Sequence, residues 1–215
     1  MNFDALIQTI AIAAIPVLFA ITLHEAAHGY VARHFGDMTA YQQGRISLNP
    51  LRHIDPVGTI LLPLLTLFLG GILFGWAKPV PVNFGALRRP KQDMLWVALA
   101  GPAANLFMAL FWGFWSMIAW QAPGSYFAEP LLEMAQLGVK INVILMVLNL
   151  LPLPPLDGGR IVISLLPQRA AIKLAGVEPY GLFILIGLAF TPVLSWLLTG
   201  PVVALISLVN FIFGF

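Results

Sequence analysis

The sequence predicts an all-α fold, a polytopic membrane helix bundle of about five to six segments. Three observations predict it. Only 9% of the 215 residues are charged and 60% are hydrophobic, whereas a soluble domain carries roughly 25% charged residues. The mean hydropathy is +0.90. Several apolar runs reach the roughly 20 residues that a helix needs to cross a bilayer. The length predicts a single domain over 1–215, with little room for appended modules. The net charge of +2 is small, and the basic residues sit between apolar segments. That pattern serves membrane orientation, and no nucleic-acid partner is expected. There is no cysteine, so disulfides and thiolate metal sites are excluded. Any metal must be held by histidine and carboxylate, and the four histidines are His24, His28, His34 and His53.

The first helix is expected from about Phe3 to Phe35. Asp4 suits the positive end of its dipole, Arg33 and His34 suit the negative end, and Gly36 is a left-handed stop. The start, Met1-Asn2-Phe3-Asp4, lacks the positive region of a signal peptide. Residues 37–56 are polar and read as a loop. The apolar stretch 57–75 holds Pro63 and a Gly70-Gly71 break, and a loop with Lys78, Arg88, Arg89 and Lys91 follows. A helix is expected over Met94–Trp120, then a loop over 121–136 without Lys or Arg, then a helix over Leu137–Leu151. The Pro-rich break 152–159 leads into a basic stretch, 160–179. Two last apolar segments, Tyr180–Leu198 and Pro201–Phe215, meet at Thr199-Gly200-Pro201. Cytoplasmic loops collect Lys and Arg, and both 33–56 and 76–93 are basic. The two loops are therefore expected on one side, with 57–75 entering as a short helix and returning as an extended strand. A true sixth span is the alternative. Irregular backbone at membrane depth must be covered by protein or face a water-filled cavity, so the re-entrant segment 57–83 would line the site.

His24-Glu25-Ala26-Ala27-His28 carries the chemistry. Positions i and i+4 share a helix face, so the two imidazoles can converge on one zinc ion, with Glu25 as general base. Two surface histidines are the ordinary reading of such a pattern in a soluble helix. Here it follows the apolar run Ile10–Leu23, where an ionisable residue costs about 2.5–3.5 kcal/mol on insertion scales. For a third ligand, His34 lies about 15 Å along the axis from His24 and is expected at the helix end. No Glu occurs between Glu25 and Glu129. Asp157, in the Pro-rich break, is a candidate, because two histidines and a carboxylate leave a zinc position open; an Asp-Gly turn at the interface is the other reading.

His24–His28, the stretch Asn149–Gly158 and Gly101-Pro102-Ala103-Ala104-Asn105 together resemble the site-2 protease family of intramembrane metalloproteases. The motifs stand in the family's order and span most of the chain, from Ile21 to Arg160. The resemblance implies one Zn²⁺ per chain on His24, His28 and Asp157, with Glu25 catalytic. It also implies contacts from Asn105 and Asn149 to substrate backbone or the developing oxyanion; helix-to-helix hydrogen bonding is the ordinary role of such asparagines. Many members carry a preceding helix and PDZ or CBS domains, for which no room is expected here. The chain resembles the short form.

The expected activity is hydrolysis of peptide bonds in or near transmembrane segments of membrane-protein substrates, in the cell membrane. The basic loops place the active site towards the cytoplasmic side. A zinc-binding membrane transporter or sensor without proteolysis is the rival reading, as is a silent scaffold, but neither needs Glu25. Membrane CAAX-type proteases share HExxH but use a Glu ligand. His53 reads as an interfacial residue rather than a gate. Trp76–Asn83 reads as an extended edge on which a substrate could add as a strand through Val80 and Val82.

Overall fold

A computed structural model describes residues 3–61 and 78–214. The path expected for 57–75, whether re-entrant or spanning, falls on 62–77 for the most part and lies outside the described residues. Among the described residues the chain is helical with no strand. Helix α1 runs Phe3–His34; at 32 residues it is about 48 Å long, more than the roughly 30 Å hydrocarbon core. Its last turn holds Arg33 and His34, and Gly36 takes φ +108°, the left-handed stop that the sequence predicts. A single turn, α2 (Thr39–Gln42), and a 3-10 turn at Pro50–His53 shape the polar loop. Pro56–Leu61 forms a short π-type turn.

Helix α3, Pro90–Trp120, begins four residues before the expected Met94. Pro90 needs no hydrogen-bond acceptor in the first turn, and the buried Asp93 carboxylate accepts the Arg89 N–H at 2.7 Å. Helix α4 runs Ala128–Asn149, so most of the expected loop 121–136 is helical. The reason is an exposed polar stripe, Glu129, Glu133, Gln136 and Lys140, at i, i+4, i+7 and i+11. Hydropathy alone reads that stripe as loop. The basic stretch 160–179 also differs from a loop: it contains α5 (Asp157–Leu165) and α6 (Gln168–Ala175).

The last two segments do not meet at Thr199-Gly200-Pro201. Helix α7 (Glu178–Ala189) ends before Thr191, and α8 runs Pro192–Phe213 straight through Pro201. Thr191 caps α8, its hydroxyl accepting the Val193 N–H, and Pro192 is pre-set for a first turn. The hydroxyl of Thr199 returns to the Ser195 carbonyl of its own helix at 2.7 Å. Helices α1, α3, α4 and α8 are long and apolar enough to cross a membrane; α6 and α7, bent by 61°, make a fifth if taken as one span. These helices make the chain a multi-pass membrane protein.

Helix α3 packs on α1 and α4, and α8 lies against α4 and α3. The central core joins Met108, Ala109 and Trp112 of α3 to Val139, Val143 and Met146 of α4 and Val209 of α8. Gly138 makes this contact close: a Cβ there would stand 2.3 Å from the Trp112 ring. Overpacking of this kind costs about 1–3 kcal/mol. Gly138→Ala is therefore expected to lower the thermal midpoint of the detergent-solubilised protein. Part of that loss should return in the double variant with Trp112→Leu, because the two positions share one contact.

Candidate active site

The site forms where one face of α1 meets one stripe of α3. His24 and His28 project from adjacent turns of α1 and are 8% and 9% exposed. Val97, Gly101 and Asn105 recur at four-residue spacing on α3, so they share the face turned to α1. The His28 Nδ1–H donates to the Val97 carbonyl at 2.7 Å, and the His24 Nδ1–H donates to Asn105 Oδ1 at 2.6 Å. Gly101 leaves room for both rings: a Cβ there would meet His28 Nε2 at 2.4 Å and His24 Nε2 at 2.6 Å.

These bonds set the imidazole tautomers. A backbone carbonyl only accepts, so His28 must carry its proton on Nδ1. The Asn105 amide nitrogen already donates to the Ala20 carbonyl at 3.2 Å and to Asn142 Oδ1 at 3.0 Å. Its oxygen is thus the atom facing His24, which must also be protonated on Nδ1. Both Nε2 lone pairs therefore point inward, and they lie 3.1 Å apart.

Asp157 completes the group. The chain turns back after α4 through 150–156, and Gly158 and Gly159 pack on that turn. A Cβ on Gly158 would lie 2.3 Å from the carbonyl oxygens of Leu150 and Leu151; one on Gly159 would lie 2.3 Å from Pro154 N. The close fit brings the first turn of α5 to the site, where its dipole favours a carboxylate. Asp157 Oδ2 lies 3.2 Å from His24 Nε2, and Oδ1 lies 3.3 Å from His28 Nε2. Oδ2 is buried with no aligned donor among the described residues, as expected if His24 Nε2 offers a lone pair.

Two nitrogens and a carboxylate, all within 4.8 Å, thus face one another as electron-pair donors. Buried groups of this kind need positive charge between them. A single proton would satisfy one pair; a divalent cation satisfies all three. Donors about 2.0–2.1 Å from a tetrahedral zinc stand about 3.3 Å from each other, and here the two Nε2 atoms are 3.1 Å apart with an Asp157 oxygen 3.2 or 3.3 Å from each. The donor set fits zinc.

A cleft of about 310 Å³ opens on this group. Glu25, Val80, Phe84, Asn149 and Arg160 contribute to its walls. Glu25 Oε2 accepts the Val80 N–H at 2.7 Å. Residues 78–83 are non-helical, as the expected edge requires, but Val80 turns its N–H to α1, and the carbonyls of Lys78 and Pro79 accept from Arg45. Val80 therefore spends its backbone donor within the chain. Arg160 pairs with Glu178 at 2.5 Å, and its guanidinium lies 4.6 Å from the Phe84 ring centre.

Of the site residues read from the sequence, His24, Glu25, His28, Asn149 and Asp157 line one cleft. Asn105 stands behind it, 0% exposed, with both amide hydrogens donated. Asn149 donates to the Leu145 carbonyl at 2.9 Å. His34 is exposed at the end of α1. His53 is buried in the polar loop, where its Nε2 bonds to the Ser47 carbonyl at 2.8 Å. The Val97 carbonyl and Asn142 were missed. A backbone acceptor leaves no trace in sequence, but an asparagine inside an apolar helix is a signal.

Residues 116–191 match the family described as Peptidase family M50. The chain is 41% identical over 188 residues to the Bacillus subtilis protein named "Putative zinc metalloprotease YwhC", covering 86% of this chain and 82% of that protein. It is 36% identical over 179 residues to "Putative zinc metalloprotease Rip2" of Mycolicibacterium smegmatis, covering 83% of this chain and 66% of the relative. For Rip2 of Mycobacterium tuberculosis the identity is 32% over 195 residues, with 89% and 71% covered. No solved structure matches. With a relative this similar over this much of both chains, and with a buried donor set built by its HExxH helix, the chain belongs to peptidase family M50, the metalloprotease family of site-2 protease type.

Proposed function

We propose that the chain is an intramembrane zinc metalloprotease that hydrolyses peptide bonds within or near transmembrane segments of membrane proteins. The observation that carries this reading is the convergence of His24 Nε2, His28 Nε2 and the Asp157 carboxylate beside Glu25. His24, His28 and Asp157 hold one zinc. When bound, zinc supplies Lewis acidity, polarising a carbonyl and making water usable as a nucleophile near neutral pH. The 1–215 stretch acts as one catalytic domain.

Glu25 takes the proton from the attacking water and returns it to the leaving amine as the C–N bond breaks. The Val80 N–H holds one carboxylate oxygen of Glu25 in place, leaving the other for that transfer. Asn149, on the cleft wall, supports substrate backbone or the developing oxyanion. Asn105 has no free amide hydrogen and works as a positioning residue for His24. A substrate helix must unwind locally, because its peptide groups are shielded by their own hydrogen bonds. The basic loops on one side of the apolar helices orient the cleft towards the cytoplasm of a cell membrane.

Metal analysis and cleavage of a transmembrane peptide by purified variants test the reading. Glu25→Gln should keep about one zinc per chain and lose about 10²–10⁴-fold in cleavage. His24→Ala and Asp157→Ala should lose the metal. Undiminished cleavage by Glu25→Gln, or full zinc occupancy in Asp157→Ala, would overturn it. A transporter would keep flux in Glu25→Gln. Gly101→Val should also reduce zinc content, because its side chain occupies the space of the two imidazoles.

A further inference from the structure

We infer that Asn142, on α4, is a positioning residue for the zinc site: it fixes the amide orientation of Asn105, which holds His24 in its metal-binding tautomer. The inference rests on His24 being a zinc ligand. Asn142 is 0% exposed and lies outside the cleft. Its amide nitrogen donates to the Gly138 carbonyl of its own helix at 2.8 Å, so its oxygen is turned to Asn105. That oxygen accepts from the Asn105 amide at 3.0 Å, and Asn105 Oδ1 then accepts the His24 Nδ1–H.

The polarity of the whole relay is set by two groups that can only accept, the carbonyls of Gly138 and Ala20. Three helices take part: α4 supplies Asn142, α3 supplies Asn105, and α1 supplies Ala20 and His24. If Asn142 offers no oxygen, one Asn105 hydrogen loses its acceptor in a dry interior. The Asn105 amide is then held by the Ala20 carbonyl alone, so a flip costs less than in the intact relay, and each flipped amide would aim N–H at His24 Nδ1. The ring proton would move to Nε2, the atom that must be bare to bind zinc. Groups that orient a metal-bound histidine from behind typically contribute about 10–100-fold in affinity.

The ordinary role of a buried membrane asparagine is helix-to-helix adhesion, which leaves the metal affinity of the folded protein unchanged. Zinc affinity of the full chain in detergent, measured by chelator competition, separates the two. Asn142→Leu should weaken zinc by about 10–100-fold and alter the visible bands of the cobalt-loaded protein. Asn142→Asp should restore both, because a protonated carboxyl has the same acceptor and donor layout as the amide. Asn142→Leu should add little to Asn105→Leu, since one acts through the other. If Asn142→Leu does not fold, Asn142→Ser carries the test; its hydroxyl returns to its own helix and does not reach Asn105. Wild-type zinc affinity in folded Asn142→Leu or Asn142→Ser, or additive losses with Asn105→Leu, would overturn the inference. Zinc affinity unchanged in His24→Ala would instead overturn the ligand reading beneath it.

Discussion

Three electron-pair donors face each other in an apolar interior, and the rest of the architecture follows from holding them there. Left alone, two imidazole lone pairs and a carboxylate at 3.1–3.3 Å would repel and would lack the water that screens them elsewhere. A histidine free to turn would swing its Nε2 away or take a proton on it. Both rings are denied that freedom by acceptors behind them, one a backbone carbonyl and one an amide whose own orientation is fixed. Both rings are thus held by hydrogen bonds that the protein itself supplies.

Backbone proximity makes the arrangement possible. Side-chain bulk at three glycines would separate its parts: Gly101 under the imidazoles, and Gly158 and Gly159 against the turn that follows α4. Prolines around 152–155 end α4 and free the chain to double back, which brings a carboxylate at the head of α5 to a site built by α1 and α3. Gly138 does the equivalent one layer away, letting the Trp112 ring lie on α4. The buried asparagines inside the bundle, Asn105 and Asn142, are tied to one another and to helix carbonyls, as the low dielectric demands.

Glu25 is tied in as well. Its carboxylate accepts the Val80 backbone N–H, so the segment next to the cleft and the proposed general base are positioned together. Arg160 adds links from α5 to Glu178 and to the Phe84 ring. The cleft sets Glu25, Asn149, Asp157 and Arg160 among apolar wall residues, while the outward faces of α3 and α8 show Phe107, Trp196 and Phe211.

Long apolar runs and the His24–His28 spacing made the membrane bundle and its metal-binding face legible in the amino-acid order, because both depend on residue type at helical period. Asp157 was legible as a candidate from its break, and as a ligand only through the family's motif pattern. Amphipathic segments were read less well: 128–136 and 157–175 are helices whose polar faces lower their hydropathy, and the junction at Thr191-Pro192 was less conspicuous than Gly200-Pro201. Residue order by itself determined which groups can bind a cation and how far apart along the chain they stand. Only the tertiary structure decided which nitrogen each histidine presents, that Asn105 stands behind His24 rather than in the cleft, and that Asn142 stands behind Asn105. Those outcomes depend on which carbonyls the packed helices bring within hydrogen-bonding reach, and no local pattern encodes a contact between residues 81 or 37 positions apart.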